Sequence, residues 1–210
     1  NASDLGDHAT HVSGTIGASG VDEDAKGMAP QATIHAYDWS SDLSEMTAAA
    51  SNGLLLSNHS YGIPAGYSYN GGWNWNGNSS ISNEEDYMFG FYNTTARAWD
   101  EMTMDAPYYL PVVSAGNDRG EGPGNGDHPD DGEADNGYDC ISGRALAKNV
   151  MAVANVQDIP AGYTTPSDVS ANPSSSWGPA DDGRVKPDIA ANGTGLYSST
   201  AANDQAYASY

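Results

Sequence analysis

The sequence is organised around residues 7–14, DHATHVSG, close to its first residue. These residues place His8 just ahead of a run of small and apolar side chains, which predicts a tightly packed helix over residues 9–19. Histidine has the unperturbed pKa closest to neutral pH, so it can both accept and return a proton. At the exposed mouth of such a helix, His8 is a candidate general base.

The same helix carries a second histidine, His11, three residues after the first. We expect His11 to face the packed side of the helix. The alternative is that His8 and His11 lie on one helical face as a pair of metal ligands. The glutamate that a zinc-protease motif requires between two histidines is absent from this stretch.

Composition limits the classes of function. The chain has 210 residues, enough for one domain with a core, and it carries 7 basic against 28 acidic side chains for a net charge of −21. Such a charge repels phosphate backbones and disfavours nucleic-acid binding; it indicates a soluble surface, salty surroundings or bound cations. No apolar run approaches the roughly 18 residues that a membrane span needs. Cys140 is the single cysteine, so no internal disulfide can form.

Strand and helix signals alternate along the chain. Residues 33–37 predict a strand, residues 41–52 a helix capped at Ser41 and ended by Gly53, and residues 54–56 a buried strand. This order is a βαβ signature and predicts an α/β domain with a parallel sheet. No repeat or linker composition interrupts it, so residues 1–210 are expected to form a single domain.

The second half of the chain continues the alternation. Residues 83–104 predict a helix capped by Asn83, and residues 108–113 predict a strand that is followed directly by Ser114. Further strands are expected over residues 150–156 and near 187–193. The aromatic stretch before this helix, residues 63–82, is either a loop folded on its own rings or a rim that faces a substrate.

Two short stretches follow neighbouring predicted strands, where active sites of parallel sheets collect. They are Ser60-Tyr61-Gly62 and Ser114-Ala115-Gly116, and Asn117 comes directly after the second. Small side chains at such positions leave main-chain groups available to pair with an extended peptide. Asn117 is either an amide donor to a developing oxyanion or a simple turn residue.

A glycine-rich acidic loop lies between residues 120 and 139. Its carboxylates offer the oxygen ligands that calcium prefers, although the spacing is not that of an EF-hand; the alternative is a solvated acidic loop. Calcium would also stabilise a secreted protein that lacks disulfides. The candidate ligands are Asp127, Asp130, Asp131 and Asp135, with Glu133 and Asp139 as further oxygens.

Four stretches in this order, residues 7–14, 60–62, 114–118 and 176–193, resemble the motifs of the subtilisin-like serine proteases, or subtilases. One departure is Ala9, where the family motif has glycine. The resemblance implies a subtilisin-like α/β fold with a mostly parallel central sheet and helices on both faces. It also implies a secreted serine endopeptidase that cleaves peptide bonds through an acyl-enzyme.

By the same resemblance, His8 is the catalytic base and acid and Asn117 is the oxyanion donor. Ser60, Tyr61, Gly62, Ser114, Ala115 and Gly116 line the peptide-binding cleft. Peptides and proteins are then the substrates, no cofactor is required for the chemistry, and pairing through the peptide main chain implies broad specificity.

Two other departures concern the rest of the catalytic triad. The family's serine lies in Gly-Thr-Ser, whereas residues 193–195 read Gly-Thr-Gly and Ser209 lacks the glycine context. Asp4 and Asp7 are too close to His8 to serve as the triad aspartate. We therefore expect an internal part of a catalytic domain, inactive alone, without the strand that bears the aspartate and the helix that bears the serine.

A missing central strand would leave sheet edges open, so self-association of the chain is a further expectation. Two hypotheses from other functional classes are alternatives. One is a non-catalytic acidic module that binds calcium or a protein partner, and the other is a protease-like fold that only binds peptides.

Overall fold

The computed structural model describes residues 6–83, 85–123 and 137–210. Within these ranges the helices are α1 (Asp7–Gly17), α2 (Asp42–Ser51) and α3 (Thr94–Asp105). The strands are β1 (Leu56–His59), β2 (Tyr67–Tyr69), β3 (Trp73–Trp75), β4 (Leu110–Ser114), β5 (Met151–Val156), β6 (Ile189–Asn192), β7 (Tyr197–Ser199) and β8 (Tyr207–Ser209). Short 3₁₀ turns cover Glu23–Ala25, Gly143–Leu146 and Pro166–Asp168.

The central sheet is parallel, with strand order β1-β4-β5-β6. Its register sets His59 beside Val113, Val113 beside Ala152, and Ala154 beside Ala190. The fold is therefore mixed α/β with a parallel sheet, which confirms the predicted class. In the described part of the chain, β1 and β6 are the outer strands of this sheet.

The main core lies on one face of the sheet. Val113 and Ala152 point to that face and pack in one cluster with Met46 of α2 and with Trp99 of α3, which is only 1% exposed. Complete burial of a side chain as large as tryptophan contributes on the order of 3 kcal/mol. This packing fixes α2 and α3 behind the carboxyl ends of β1 and β4.

The βαβ prediction is correct in its second half. Helix α2 ends in a Schellman motif, in which the N–H of Gly53 donates to the carbonyl of Ala50 and the N–H of Leu54 to that of Ala49. Gly53 has φ of +92°, the left-handed conformation expected of a glycine at this position. The following strand begins at Leu56, two residues later than predicted.

The predicted strand over residues 33–37 is wrong. This segment is exposed and has no ladder partner among the described residues, and a strand requires a neighbour to pair with.

The predicted helix over residues 83–104 is also wrong in its first half. Helix α3 begins at Thr94, where the Asn93 side chain accepts hydrogen bonds from the N–H groups of Thr95 and Ala96. Upstream, the buried carboxylate of Asp86 accepts from the N–H of Gly66 at 2.8 Å and of Met88 at 3.0 Å, so it serves a loop. Gly90, at φ of +66°, is likewise incompatible with a continuous helix.

Two antiparallel hairpins complete the fold. The first, β2–β3, forms inside the aromatic stretch for which the sequence predicted a loop or a rim, and the rings of Tyr67 and Trp75 contact there at 5.0 Å. The second, β7–β8, was not predicted and packs on α1. Among the described residues, no helix combines the length and apolar character required to cross a bilayer.

Candidate active site

His8 lies in the first turn of α1, and its ring is exposed to solvent. The helix is held by the β7–β8 hairpin: the N–H of Ala201 donates to the Asp7 carboxylate at 2.8 Å, and the hydroxyl of Ser198 donates to the carbonyl of His11. A side chain at Gly14 would overlap the hydroxyl oxygens of Ser198 and Ser199. The small residue at this position thus permits a close helix–hairpin contact that fixes His8.

His11, three residues further along α1, is buried, as predicted. Its Nε2–H lies 2.9 Å from the carbonyl oxygen of Leu196 and 3.2 Å from that of Ala208. The Tyr210 ring packs edge-on against it at 4.5 Å. The Nε2 atom of His11 is thereby engaged in joining α1 to the hairpin.

The two predicted cleft segments leave the sheet side by side. Because β1 and β4 are parallel and His59 lies beside Val113, residues 60–62 and 114–116 both emerge at the carboxyl edge of the sheet. In the described part of the chain, no main-chain hydrogen bond involves residues 60–62. A Cβ added at Gly62 would meet no atom within 4 Å, so this side of the segment is open.

The second segment is more firmly paired. The N–H of Ala115 donates to Val153, and the carbonyl of Gly116 accepts from Ser176 at 3.0 Å. Gly116 has φ of +110°, and a Cβ there would lie 2.8 Å from both the Asp118 carboxylate and the Ser176 hydroxyl. Glycine is therefore required at this position.

Asn117 follows that glycine and is exposed. Its carboxamide forms no hydrogen bond with any described residue, so it is available to an outside acceptor. The next side chain turns inward: the Ser176 hydroxyl donates to the Asp118 carboxylate at 3.2 Å and accepts from the Asp118 N–H at 3.0 Å. Burial raises the pKa of Asp118 to about 6.

Tyr61 points away from the open edge and into the protein. Its hydroxyl lies 2.9 Å from Nδ1 of His59 and donates to the Asp42 carboxylate at 3.3 Å. The guanidinium of Arg144 lies 4.2 Å from the centre of its ring. Sequence reasoning missed these partners. The contact with His59 could have been predicted, because Ser57, His59 and Tyr61 alternate along one face of β1 and its extension with a period of two.

The structure brings together the two cleft segments and Asn117. Beyond α1 itself, the hydrogen bonds of this helix in the described ranges go to its flanking residues Gly6 and Ala18, to residues 28–29 and 196–201, and to Ala208. None of them joins His8 to the segments after β1 and β4.

The calcium prediction lies mostly outside the described residues. This holds for Asp127, Asp130, Asp131, Glu133 and Asp135. Asp139 is described, and its main-chain N–H donates to the carbonyl of Gly178 at 3.0 Å. Among the described residues, no group of three or more histidine, cysteine or acidic side chains is arranged to hold a metal ion.

Comparison with protein families supports the resemblance found in the motifs. The model described as "Subtilase family" matches residues 1–210, the whole chain. A search of curated proteins finds no match. The chain therefore belongs to the subtilase family of serine proteases.

Proposed function

We propose that this chain supplies the general base, the oxyanion donor and the peptide cleft of a serine endopeptidase. The observation that carries the proposal is the pair of segments at the carboxyl edge of β1 and β4, one of which has unpaired main-chain groups. An extended peptide can add to such a segment as a further strand. Recognition through the main chain implies tolerance of many substrate sequences.

His8 would take the proton of the attacking serine hydroxyl and return it to the leaving amine. Its exposure on a helix that is held by a hairpin supports this role, because the ring is accessible while its backbone is fixed. A base that must both accept and release a proton near neutral pH is best supplied by an imidazole.

Asn117 would donate its amide N–H to the oxyanion of the tetrahedral intermediate. Its exposure, and the absence of a competing hydrogen bond from the described residues, support this assignment. The required glycine before it turns the chain so that Asn117 faces outward while Asp118 faces inward.

Neither the nucleophilic serine nor the triad aspartate is assigned to any of the 210 residues. Hydrolysis by residues 1–210 alone is therefore not expected, and the activity is proposed for the complete gene product.

Secretion, calcium binding by the acidic loop and self-association through open sheet edges remain proposals that rest on charge and resemblance. A thermal unfolding midpoint that is equal in millimolar calcium and in chelator would exclude a stabilising calcium ion.

The test compares the complete gene product with its His8→Ala and Asn117→Ala variants. Hydrolysis of fluorogenic peptides and labelling by a fluorophosphonate are measured for each. His8→Ala should lower kcat by several orders of magnitude. Asn117→Ala should lower kcat by about 10²–10³-fold, the magnitude that loss of the equivalent asparagine has in subtilisin, itself a member of this family.

Each outcome separates the proposed roles. Turnover that survives His8→Ala would reject His8 as the base, and an unchanged kcat in Asn117→Ala would reject the oxyanion role. A complete gene product that neither cleaves peptides nor reacts with fluorophosphonate would reject the peptidase and favour a peptide-binding or acidic binding module.

A further inference from the structure

Behind the cleft segment 60–62, five side chains from different parts of the chain form one continuous line of hydrogen bonds. We call this line the buried relay after its two buried members, Tyr109 and His59; the other members, Ser57, Tyr61 and Asp42, are partly buried. Tyr109 Oη lies 2.5 Å from Ser57 Oγ, and Ser57 Oγ lies 2.6 Å from His59 Nε2. His59 Nδ1 lies 2.9 Å from Tyr61 Oη, which lies 3.3 Å from Asp42 Oδ2.

The direction of every hydrogen bond in the buried relay follows from its last member. The Asp42 carboxylate can only accept, so the Tyr61 hydroxyl donates to it. The Tyr61 oxygen then accepts from Nδ1–H of His59, and the unprotonated Nε2 of the neutral ring accepts from Ser57. The Ser57 oxygen in turn accepts from Tyr109, so the neutral Nδ1–H tautomer of His59 satisfies the whole line.

The surroundings keep His59 in that neutral form. Burial first and the Arg144 cation second lower the pKa of His59 to about 4, while Asp42 acts in the opposite direction. The remaining titratable neighbours stay protonated near neutral pH: burial raises the pKa of Tyr61 to about 12 and also raises that of Tyr109. Trp99, which packs edge-on against the histidine at 4.8 Å, carries no charge.

Arg144 holds the ring of Tyr61 from the side. Its guanidinium lies 4.2 Å from the centre of that ring and 5.0 Å from the ring of Trp99, and its Nη1 is 3.7 Å from the Asp42 carboxylate. That Nη1 is buried and forms no hydrogen bond within the described residues. Two aromatic faces and one carboxylate therefore stabilise the cation, which in turn restricts rotation of Tyr61.

The main chain of the same segment has no comparable support. No described main-chain hydrogen bond involves residues 60–62, and Gly62 lies in open space. The Ser60 hydroxyl accepts one bond from the side chain of Asn58, which is exposed. The Tyr61 side chain is thus the principal anchor of a segment that is otherwise free.

From this contrast we propose that Tyr61, held by His59, Asp42 and Arg144, is a positioning residue that sets the place of the 60–62 main chain for pairing with a peptide substrate. The inference rests on the proposed function, because it assigns substrate binding to this segment. Tyr61 does not touch the reacting atoms, so its loss should weaken peptide binding and leave the chemical step largely unchanged.

The buried relay also makes this positioning sensitive to acid. A protonated His59 has two N–H donors, so Ser57 could no longer donate to Nε2 and the order of hydrogen bonds toward Tyr109 would have to reverse. A second cation would also lie beside Arg144. We therefore expect KM to rise as the pH falls toward 4, with a dependence that disappears when residue 59 cannot titrate.

The test uses the complete gene product and the variant Tyr61→Phe, which deletes the hydroxyl and keeps the ring over Arg144. Tyr92→Phe is the matched control, because the Tyr92 hydroxyl likewise donates to a carboxylate, that of the buried Asp100, at 2.6 Å, away from the cleft. Tyr61→Phe should raise KM by about tenfold, the equilibrium factor of one lost hydrogen bond, with kcat within about twofold of wild type. Tyr92→Phe should leave KM unchanged.

Two further measurements separate positioning from general destabilisation. His59→Gln keeps one donor and one acceptor, so it should retain a near-normal KM at pH 7 and lose the rise in KM toward pH 4. In a His8→Ala background, chymotrypsin should cut after residue 61 several-fold faster in Tyr61→Phe than in Tyr92→Phe, a readout that does not depend on the protein's own activity.

The outcomes distinguish this inference from the proposed function. Equal KM values, or equal chymotrypsin cleavage, for the two phenylalanine variants would overturn the positioning role even in an active peptidase. Faster cleavage after residue 61 in a protein without turnover would support the anchoring of the segment and reject its use in peptide hydrolysis. A rise in KM toward pH 4 that persists in His59→Gln would overturn the assignment of the acid response to His59.

Discussion

The two cleft segments are backed by buried groups that burial affects in opposite ways. Behind residues 60–62 lies His59, a base whose pKa is lowered to about 4; behind residues 114–116 lies Asp118, an acid whose pKa is raised to about 6. In both cases loss of water disfavours the charged form. The two groups differ in their partners: hydroxyls contact both nitrogens of His59, whereas Asp118 receives the hydroxyl of Ser176.

Because the pKa of His59 is lowered and that of Asp118 is raised, the two sites have opposite effects on stability as the pH changes. The folded state binds fewer protons at His59 than the unfolded chain between pH 6.5 and about 4, so acidification through that window destabilises the fold. At Asp118 the folded state binds more protons between pH 3.8 and about 6, so acidification through that window is stabilising. Together the two sites largely cancel in the wild-type protein.

The largest expected effect on stability comes from a substitution beside Asp118. Gly116→Ala places a Cβ 2.8 Å from Asp118 and Ser176 at φ of +110°, so backbone strain and overlap should together lower the free energy of unfolding by about 4 kcal/mol. Urea unfolding of the complete gene product in a His8→Ala background, which prevents self-cleavage, measures the change. The control Gly62→Ala meets no neighbouring atom and should change the free energy by less than about 1 kcal/mol. Similar losses in both variants would contradict the steric argument.

The second largest expected effect on stability comes from replacing His59. His59→Leu leaves the partly buried hydroxyls of Ser57 and Tyr61 without their imidazole partner, so the free energy of unfolding at pH 7 should fall by about 3 kcal/mol. The same urea titration measures it. His59→Gln offers an acceptor and a donor at the same position and should recover at least half of that loss. If leucine and glutamine are equally destabilising, hydrogen bonding at residue 59 is not what stabilises this region.

A gain of stability is expected when Asp118 is neutralised. The difference between a pKa of about 6 and the ordinary 3.8 corresponds to about 3 kcal/mol at pH 7, and Asp118→Asn should recover about 2 kcal/mol of it. Thermal unfolding at pH 7 and at pH 4 measures the gain, which should vanish at the lower pH, where the wild-type carboxyl is protonated.

The same variants test the cancellation. Asp118→Asn should lose stability on acidification from pH 6.5 to 4, because only His59 then responds, and His59→Gln should gain stability over the same range. Equal slopes in the two variants would show that these groups do not control the pH dependence.

The smallest expected effect is the loss of an ion pair whose side chains are exposed to solvent, which gives a reference for the buried groups of the cleft. The Arg97–Glu101 pair on α3 has a 2.7 Å contact, but its side chains are 71% and 60% exposed. Arg97→Ala should leave the free energy of unfolding close to the wild-type value, and 0.5 M salt should reduce even the small remaining difference. A change as large as that of Asp118→Asn would mean that burial is not the dominant cause of the shifts in the cleft.

Short sequence patterns correctly predicted the elements whose structure depends mainly on residues close together in the sequence. The helix at His8, the glycine that ends α2 and the strands before both cleft segments follow from short patterns, and all are present in the structure. The parallel sheet followed from the order of those elements, and the paired cleft segments followed from the sheet.

Contacts distant in sequence account for what was missed. Asp86 and Asn93 are both good helix caps by type, and only the folded loop shows that Asp86 binds Gly66 while Asn93 begins α3. The buried relay joins Asp42 to Tyr109, which no short pattern can indicate. The strand expected over residues 33–37 failed because pairing depends on a neighbour that its own residues do not specify.

The contact between α1 and the β7–β8 hairpin joins residues that are 185 to 197 positions apart. During synthesis on the ribosome, the helix that carries His8 emerges before the β7–β8 hairpin. It cannot pack against this hairpin until residues near 208 have left the exit tunnel. A translating or truncated chain that ends before residue 196 therefore contains His8 without the surfaces that hold it. The base of the proposed triad would then reach its working position only after the hairpin has been made, although it is synthesised well before the hairpin.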